Sequence, residues 1–340
     1  MFDPRNILVI DFGQLGDVVL SLPALKAVRD RFPNARITVA VGKPGAAVIE
    51  LSGYANSLLV VDRVALRDGP KLISLARIFQ LVKNVRRSRF DFVIDLHSLS
   101  ETNLLGFLSG APKRLYSHRP GRSLNYLANF SPRPPAEDNA KHSIERYLDV
   151  LVPLGVKNVR PVPRLVTRAA DDAMVERLLK KEKADTAAPL VGLFPGSGHP
   201  GRRWPLERFV KLADYLTRNE GARVLVFAGP EESALAKQMR HVFPPSTMIF
   251  DKLTIPQLAA AQARLSVFVS NDTGPMHIAA AVGTSVVMLS DRPTPNSFVP
   301  KEQHHRVVYG SRVSELTVEE VYKVTCEVLA TRRTEALFSR

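Results

Sequence analysis

Four apolar segments of the chain each run into a turn of small or polar residues that is predicted to begin a helix. These segments are Ile7–Asp11, Val191–Phe194, Val224–Phe227 and Val267–Ser270. In an open parallel sheet such turns lie at the carboxyl ends of the strands, where helix N-termini offer free N–H groups to anions. One turn opens the chain and three lie in its second half. This asymmetry favours a phosphate site in the second half and a reacting acid in the first.

Asp17 is that acid, and it stands at the predicted start of the first helix. A carboxylate at this turn, kept ionised by nearby N–H groups, could take the proton of a hydroxyl group. Alternatively, Asp17 could serve only as a capping or first-turn acid that complements the helix dipole. The sequence leaves both roles open.

The turn after the second apolar segment combines glycines, a hydroxyl group and arginines. Gly196 and Gly198 would let the backbone approach an anion closely, and Ser197 adds a hydroxyl donor. Arg202 and Arg203 follow, and an arginine at this turn could neutralise the charge that builds on a departing diphosphate. The other interpretation is a plain turn before the next helix.

A third turn has the same character and follows the fourth apolar segment. Asp272, Thr273, Gly274 and His277 all lie within one turn of a predicted helix start. Together they could hold a diphosphate or a ribose, because free N–H groups and side-chain donors would converge there. Asp272 could instead act only as an N-cap.

Predicted strands and helices alternate through the first half of the chain. The first helix is indicated most clearly, because Val18, Leu22 and Leu25 share one face and Pro33 ends the pattern. The predicted strands are 6–12, 36–41, 58–61, 90–95 and 114–116, and the predicted helices are 17–32, 44–52, 70–87, 101–109 and 143–154. Residues 117–139 are rich in proline and are predicted to form a long loop.

The second half alternates in the same way after a linker at 155–168 and a charged helix from Asp171. Its predicted strands are 190–194, 223–228, 247–250, 265–270 and 285–290, and its predicted helices are 205–218, 231–241, 255–263 and 275–282. Capping-box patterns at Thr254-x-x-Gln257 and Thr317-x-x-Glu320 indicate helix starts near 255 and 318. Two such halves in 340 residues predict two α/β domains with parallel sheets covered by helices on both faces.

The charge balance predicts anionic partners. The chain has 47 Lys and Arg residues against 33 Asp and Glu residues, a formal net charge of +14. This charge attracts phosphates, anionic lipid headgroups or nucleic acid. No zinc finger, helix-turn-helix or aromatic-interleaved basic strand is found, so nucleic acid is not a predicted partner. Basic clusters such as Arg86-Arg87-Ser88-Arg89 and Lys180-Lys181 could contact an anionic membrane or could be solvated helix faces.

The sequence also predicts where the protein works. No apolar run approaches the roughly 18 residues that span a bilayer, and no basic region precedes an apolar stretch at the N-terminus. The chain is therefore expected in the cytoplasm. The single cysteine, Cys326, excludes an internal disulfide and a cysteine-based metal cluster, which fits a reducing compartment.

The glycine spacing disfavours two other phosphate-binding classes. The dinucleotide fingerprint G-x-G-x-x-G fails, because Gly13 and Gly16 are three residues apart and Val18 occupies the position of the last glycine. The second predicted strand ends in Val41–Lys43, without an acid for a ribose diol. A nicotinamide dehydrogenase is thus disfavoured. A P-loop enzyme is disfavoured too, because no G-K-[ST] sequence follows a glycine turn.

Three segments together resemble glycosyltransferase family nine, the lipopolysaccharide heptosyltransferases. The segments are Gly16–Leu25, Pro195–Pro205 and Asp272–His277, and their order and spacing match over nearly the whole chain. The resemblance implies the GT-B fold, in which two Rossmann-like α/β domains with parallel sheets face each other across a cleft. We accordingly expect an acceptor-side domain at 1–165 and a nucleotide-sugar-binding domain at 166–315. A last helix at 316–340 is expected to cross back toward the N-terminal domain.

The resemblance further implies an inverting transfer, in which an acceptor hydroxyl attacks the anomeric carbon of a nucleotide sugar. Asp17 matches the proposed base, and Arg202 matches a position at the departing diphosphate. The donor-binding positions that match are Gly16, Gly196, Ser197, Gly198, Glu232, Asp272, Thr273, Gly274 and His277. The acceptor-side candidates are His97, Arg119 and His142, and His97 stands where the family often has Gln.

The resulting hypothesis is an inverting glycosyltransferase with ADP-heptose, the commonest donor of the family, and a lipopolysaccharide-core or related anionic glycolipid as acceptor. No cofactor and no metal are expected, and the expected location is the cytoplasmic surface of the inner membrane, as a peripheral protein. Two alternatives within the same fold are a hexose transferase and an epimerase, and the epimerase would act without an acceptor. A third alternative is a non-catalytic sugar-nucleotide-binding protein, in which Asp17 would be dispensable.

Overall fold

A computed structural model divides the chain into two compact units, Met1–Pro163 and Arg164–Arg340. The structure describes residues 2–121, 124–157, 159–181, 188–291 and 304–338. Each unit contains one parallel β-sheet whose strands alternate with helices along the chain, which confirms the predicted fold class.

The first unit is built on a five-stranded sheet. Its strands are β1 (Asn6–Asp11), β2 (Arg36–Gly42), β3 (Ser57–Val61), β4 (Phe92–Asp95) and β5 (Lys113–Tyr116). Its helices are α1 (Leu15–Arg31), α2 (Lys43–Ser52), α3 (Arg63–Asp68), α4 (Lys71–Arg87), α5 (Ser100–Leu108) and α6 (Ser143–Asp149). The strand order is β3-β2-β1-β4-β5, and Ile10 of β1 pairs with Asp95 of β4. The turns after β1 and β4 are therefore neighbours at the carboxyl edge.

Apolar side chains hold the turn after β1 against the core of the first unit. The run from Ile7 to Ile10 is at most 1% exposed, as expected for a strand with both faces covered. The face of α1 that carries Val18, Leu22 and Leu25 is fully buried. The position of Asp17 is thus fixed by packing on both sides of the turn.

The second unit is built on a six-stranded sheet. Its strands are β6 (Leu190–Phe194), β7 (Arg223–Phe227), β8 (Met248–Phe250), β9 (Val267–Asn271), β10 (Val286–Ser290) and β11 (Arg306–Tyr309). Its helices are α7 (Ala169–Lys181), α8 (Leu206–Glu220), α9 (Ser233–Val242), α10 (Ile255–Gln262), α11 (Gly274–Ala281) and α12 (Val318–Phe338). The order is β11-β10-β9-β6-β7-β8, and Phe194 pairs with Ser270. The turns after β6 and β9 therefore lie side by side.

Two short elements, α3 and β11, are absent from the sequence-based prediction. Helix α3 has six residues, and its N-cap Asp62 accepts the backbone N–H of Ala65 at 3.0 Å. Strand β11 has four residues at the edge of its sheet, where Arg306 and Tyr309 are exposed. Periodicity needs a longer window than either element offers.

Two predicted helices are replaced in part by 3₁₀ turns. Helix α6 ends at Asp149, and a 3₁₀ turn at Val152–Leu154 takes the place of the predicted continuation. Pro153 has no N–H group for an α-helical bond, which explains the interruption. The helix predicted at 231–241 instead begins at Ser233, after a 3₁₀ turn at Pro230–Glu232.

The last helix, α12, packs on the core of the second unit. Val321 and Leu329 are at most 1% exposed in the same apolar cluster as residues of α8. The predicted start near residue 318 is confirmed, and Thr317 N–H donates to Glu320 Oε2 at 2.8 Å. The crossing of this helix toward the N-terminal domain, and the roles assigned to the two domains, stay predictions.

Candidate active site

Asp17 lies in the first turn of α1, and its two carboxylate oxygens have different surroundings. Oδ2 accepts the backbone N–H of Gln14 at 3.0 Å, which is the capping role that the sequence allowed. Within the described residues Oδ1 accepts no hydrogen bond. Asp17 also lines a cleft of about 60 Å³. One oxygen thus fixes the side chain while the other stays available for a proton.

The cleft in the first unit collects charged and aromatic side chains from five segments of the chain. It is lined by Asp17, Leu96, His97, Ser117, Arg119, Glu137, Arg146 and Tyr147. Asp17, His97 and Arg119, which the sequence analysis singled out, therefore share one site. His142 is not among the lining residues; it is buried at the start of α6, where its Nδ1 accepts the N–H of Ile144 at 3.3 Å.

His97 pairs with a buried carboxylate that the sequence analysis missed. Its Nδ1 lies 3.5 Å from Asp11 Oδ1 and 3.4 Å from the hydroxyl of Tyr147. Asp11 is 1% exposed and also accepts the hydroxyl of Ser21 at 2.6 Å and the N–H of Gly13 at 3.0 Å. These contacts hold the imidazole beside Asp17.

The contact shifts both ionisation equilibria toward the charged forms. Burial alone would raise the pKa of Asp11, but the hydrogen bond and charge of His97 lower this pKa overall. Burial alone would lower the pKa of His97, but the hydrogen bond and charge of Asp11, together with the charge of Asp17, raise this pKa overall. The contact therefore favours the ionised forms of both residues, close to the side chain of Asp17.

The ion pair predicts a specific dependence of stability on pH. Because the pKa of His97 is raised on folding, its contribution is complete below its ordinary pKa of about 6.5 and disappears as pH rises through the folded value. We expect the unfolding free energy of the wild-type chain to decline on this account as pH rises above about 6.5. In His97→Gln, the unfolding free energy should not show the part of this decline that comes from deprotonation of His97. Denaturant titrations at several pH values measure the difference.

The exposed His241 on α9 provides the control for this prediction. His241→Gln should keep the wild-type dependence of unfolding free energy on pH. If the unfolding free energy of His97→Gln varies with pH in the same way as that of the wild-type protein, the imidazole does not pair with Asp11 in solution.

Gly13 allows the three groups to approach one another. A Cβ atom at this position would lie 2.5 Å from Asp17 Cβ, 3.0 Å from His97 Cε1 and 3.1 Å from Asp11 Oδ1. Contacts this short are repulsive, so any side chain at position 13 would displace the acid or the imidazole.

A second buried acid, Asp95, positions the backbone of His97. Asp95 Oδ1 accepts the N–H groups of His97 at 3.1 Å and Ser98 at 2.8 Å, and its Oδ2 accepts Asn103 Nδ2 at 2.8 Å. Burial raises the pKa of Asp95 to about 6, against the opposing effect of these donors. Asp95 is therefore a positioning residue, while His97 and Asp17 face the cleft.

Two arginines in the cleft share one acid. Arg119 Nη2 donates to Glu137 Oε1 at 2.9 Å, and Arg146 Nη1 donates to the same oxygen at 3.1 Å. All three side chains are at most 21% exposed. The group carries one excess positive charge, which favours an anionic ligand. The predicted long loop at 117–139 pointed to this region, but no spacing in the sequence singled out Glu137 or Arg146.

In the second unit, the turn after β6 presents one arginine and immobilises the next. Arg203 Nε and Nη2 donate to the carbonyl of Ser197 at 3.2 and 2.9 Å. Arg202 ends a 3₁₀ turn and is partly exposed, and its guanidinium makes no hydrogen bond or ion pair with the described residues. Arg202 is thus free to bind an anion.

Asn271 connects the two neighbouring turns, although it is not among the site residues predicted from the sequence. It is fully buried, and its Oδ1 accepts the N–H of Trp204 at 3.0 Å. Its Nδ2 donates to the carbonyls of Pro195 at 3.0 Å and Gly196 at 3.1 Å. The only signal in the sequence was its place at the end of an apolar strand.

Glu232 lies directly against the turn after β6. Its Oε2 accepts the N–H of Gly229 at 3.0 Å. A Cβ atom at Gly196 would lie 2.7 Å from Glu232 Cγ and Oε1, so only glycine fits between these segments. Burial raises the pKa of the Glu232 carboxyl. Ser197 is buried in the same turn, and open space surrounds Gly198.

The remaining predicted donor residues lie at helix starts. Thr273 is the N-cap of α11 and its side chain makes no capping bond, while Asp272 and Gly274 flank it and are partly exposed. His277 is buried one turn later. Gly16 lies in the first turn of α1, in the other unit. The N–H groups at the start of α11 are thus presented beside the turn after β6, where an anion would be stabilised.

Neither a metal centre nor a membrane span is found in the part of the chain that the structure describes. No three His, Cys, Asp or Glu side chains there are grouped as ligands for a metal ion. No described helix combines the length and apolar content of a bilayer-spanning segment.

Comparisons with known proteins agree on one family. A sequence model of "Glycosyltransferase family 9 (heptosyltransferase)" matches residues 78–323. Lipopolysaccharide heptosyltransferase 3 of Escherichia coli is 25% identical over 81% of this chain and 80% of its own length.

Solved structures agree as well. A family 9 glycosyltransferase of Veillonella parvula superposes with a TM-score of 0.84 at 24% identity, covering 97% of this chain and 99% of its own. The E. coli heptosyltransferase WaaC, solved with ADP-2-deoxy-2-fluoro heptose, superposes with a TM-score of 0.76 at 19% identity. The superposition covers 95% of this chain and 99% of the WaaC chain. These likenesses establish the GT-B fold. Because the family model spans more than half of a chain with this fold, the chain belongs to glycosyltransferase family 9, a family of sugar-transferring enzymes.

Proposed function

We propose that this enzyme transfers heptose from ADP-heptose to a lipopolysaccharide-core acceptor, with inversion at the anomeric carbon. The observation that carries the proposal is the uncommitted carboxylate oxygen of Asp17 in a cleft lined by two arginines. The name of the E. coli relative supports a lipopolysaccharide acceptor. The ligand of the WaaC structure supports an ADP-linked heptose as donor.

In the proposed reaction, Asp17 Oδ1 accepts the proton of an acceptor hydroxyl as its oxygen attacks the anomeric carbon. The new C–O bond forms while the bond from that carbon to the diphosphate breaks, and ADP leaves with the electron pair. A positioned carboxylate contributes about 10²- to 10⁴-fold to such a step. The Asp11–His97 pair stands next to Asp17 and fixes the shape of the site.

The second unit would bind the donor. The guanidinium of Arg202, the N–H groups at the start of α11 and the glycine turn after β6 supply positive charge where negative charge grows on the leaving diphosphate. Glu232 lies against that turn and would contact the nucleoside. Gly198, Ser197, Asp272, Thr273, Gly274 and His277 complete the proposed donor site.

The first unit would bind the acceptor. Arg119 and Arg146, held by Glu137, suit a phosphate or carboxylate group of the glycolipid. His97 lines the same cleft as this cation pair and Asp17. Because such an acceptor is anchored in a bilayer, we place the enzyme at the cytoplasmic surface of the inner membrane.

Calorimetric titration of the purified protein with ADP, UDP, GDP, NAD and ADP-heptose, without added metal, tests the donor assignment. We expect ADP and ADP-heptose to bind and NAD to give no heat. Preferential binding of UDP or GDP would overturn the assignment of ADP-heptose as donor but would leave the assignment as a transferase intact. Turnover of the donor without any acceptor would instead indicate an epimerase.

Arg202→Ala tests the role of the free guanidinium. We expect kcat/KM for ADP-heptose to fall by roughly 10²- to 10³-fold, with weaker ADP binding, because the lost charge acts as the bond to diphosphate breaks. Arg218→Ala on α8, which removes an exposed arginine paired with Asp214, is the matched control and should leave kcat/KM unchanged. An unchanged kcat/KM in Arg202→Ala would remove this residue from the mechanism.

A further inference from the structure

Helix α4 presents large apolar side chains to solvent. Leu72 is 82% exposed, Phe79 is 69% exposed and Leu75 is 65% exposed. Within this helix only Ser74 and Val85 are buried. Apolar side chains concentrated on one surface element commonly mark an interaction site, whereas single exposed ones are ordinary.

The exposed apolar residues share one helix face with basic residues. Positions 72, 75 and 79 follow the spacing of one face of an α-helix, and Lys83 and Arg86 continue that face toward the C-terminus. Leu81 lies on the opposite face and packs on the apolar core together with Val85. The outward face is therefore apolar in its first half and cationic in its second half.

The charge of α4 is of one sign. The helix contains five basic residues and no acidic residue: Lys71, Arg77, Lys83, Arg86 and Arg87. Two copies of this face placed together would bring like charges into contact, which disfavours self-association. An anionic lipid surface complements both parts of the face, because headgroups attract the cations and the acyl boundary accepts the apolar side chains.

We propose that the outward face of α4 docks the protein on an anionic lipid bilayer, with Leu72, Leu75 and Phe79 inserted at the headgroup boundary. Lys83 and Arg86 then contact lipid phosphates. The purpose of this docking rests on the proposed lipid-anchored acceptor. Its test needs neither donor nor acceptor, so failure of the docking and failure of the proposed reaction are distinguishable.

Co-sedimentation with lipid vesicles tests the proposal. The full chain should bind vesicles of equal parts phosphatidylcholine and phosphatidylglycerol, and bind vesicles of phosphatidylcholine alone much more weakly. Leu72→Ser/Phe79→Ser should weaken binding about tenfold or more, because two inserted side chains are lost. Lys83→Glu/Arg86→Glu should weaken binding at least as much, and high salt should reproduce this loss in the wild-type protein.

Matched controls distinguish an effect of the outward face of α4 from a general effect of net charge or exposed apolar surface. Lys211→Glu/Lys237→Glu changes the net charge equally on exposed positions of α8 and α9, and Val242→Ser removes an apolar side chain that is 43% exposed. Both controls should bind vesicles like the wild-type protein. All variants should keep wild-type circular dichroism and ADP affinity, since α4 contributes nothing to the proposed donor site.

Three results would overturn the proposal. The wild-type chain could fail to bind the anionic vesicles, or the α4 variants could bind them as tightly as the controls do. Alternatively, Leu72→Ser/Phe79→Ser could leave vesicle binding intact and abolish a dimer in analytical ultracentrifugation, which would assign the face to a second copy of the chain.

Discussion

Replacing Asp17 with Asn should lower the rate of heptose transfer by about 10²- to 10⁴-fold while ADP-heptose binds almost as before. The amide oxygen of Asn can still accept the N–H of Gln14, so the first turn of α1 keeps its cap. The variant loses only the ability to take a proton. Transfer assays under saturating donor, with calorimetric titration of ADP-heptose, measure the two quantities separately.

Asp30→Asn is the control for this prediction, because Asp30 lies on the same helix and pairs with Lys26 at an exposed position. Its transfer rate should equal that of the wild-type protein. Near-normal turnover in Asp17→Asn would mean that another group accepts the proton.

Asn271→Ala should weaken the second unit and its donor site together. The substitution leaves the buried N–H of Trp204 without an acceptor and frees the carbonyls of Pro195 and Gly196. One unsatisfied buried group costs about 1 to 3 kcal/mol, so we expect a lower unfolding temperature. We also expect ADP affinity to fall about tenfold or more, because the glycine turn after β6 is no longer fixed.

Thermal unfolding and ADP titration of Asn271→Ala test this coupling. Asn34→Ala, at an exposed position in the turn before β2, is the matched control and should change neither quantity. If Asn271→Ala unfolds at a lower temperature but binds ADP with wild-type affinity, the amide is structural only. An unchanged unfolding temperature would show that the hydrogen bonds of the Asn271 side chain do not stabilise the second unit.

The framework of the fold could be predicted because its signals are local. The buried strands are continuous apolar runs such as Ile7–Ile10, and the amphipathic pattern of α1 is set by residues three and four positions apart. The turns that follow these strands carry their small and polar residues in the sequence itself. The edge strand β11 and the short helix α3 lack such signals and were missed.

The composition of the site could be predicted only in part, because its key contacts join distant segments. Asp11 and His97 are 86 positions apart, and they meet because β1 and β4 are adjacent in the sheet. Asn271 reaches Trp204 for the same reason, through the adjacency of β9 and β6. Strand order follows from the tertiary packing, and a single sequence does not state it.

The distinction between Arg202 and Arg203 illustrates the same limit. The two residues are chemically identical in the sequence, and the resemblance alone selected Arg202. The structure separates them, because the guanidinium of Arg203 donates to the carbonyl of Ser197 and the guanidinium of Arg202 makes no bond to a described residue. Only the geometry of the turn decides which guanidinium can meet a ligand.

Any anion that binds in the first-unit cleft must compete with Glu137 for the two arginines. Glu137 already accepts a hydrogen bond from each of Arg119 and Arg146, so we expect a small anion from the medium to gain little by displacing it. An acceptor that also contacts other parts of the enzyme can compete successfully for the same two guanidinium groups. We therefore expect the cleft to select its anion by competition with Glu137 and to bind free inorganic phosphate only weakly.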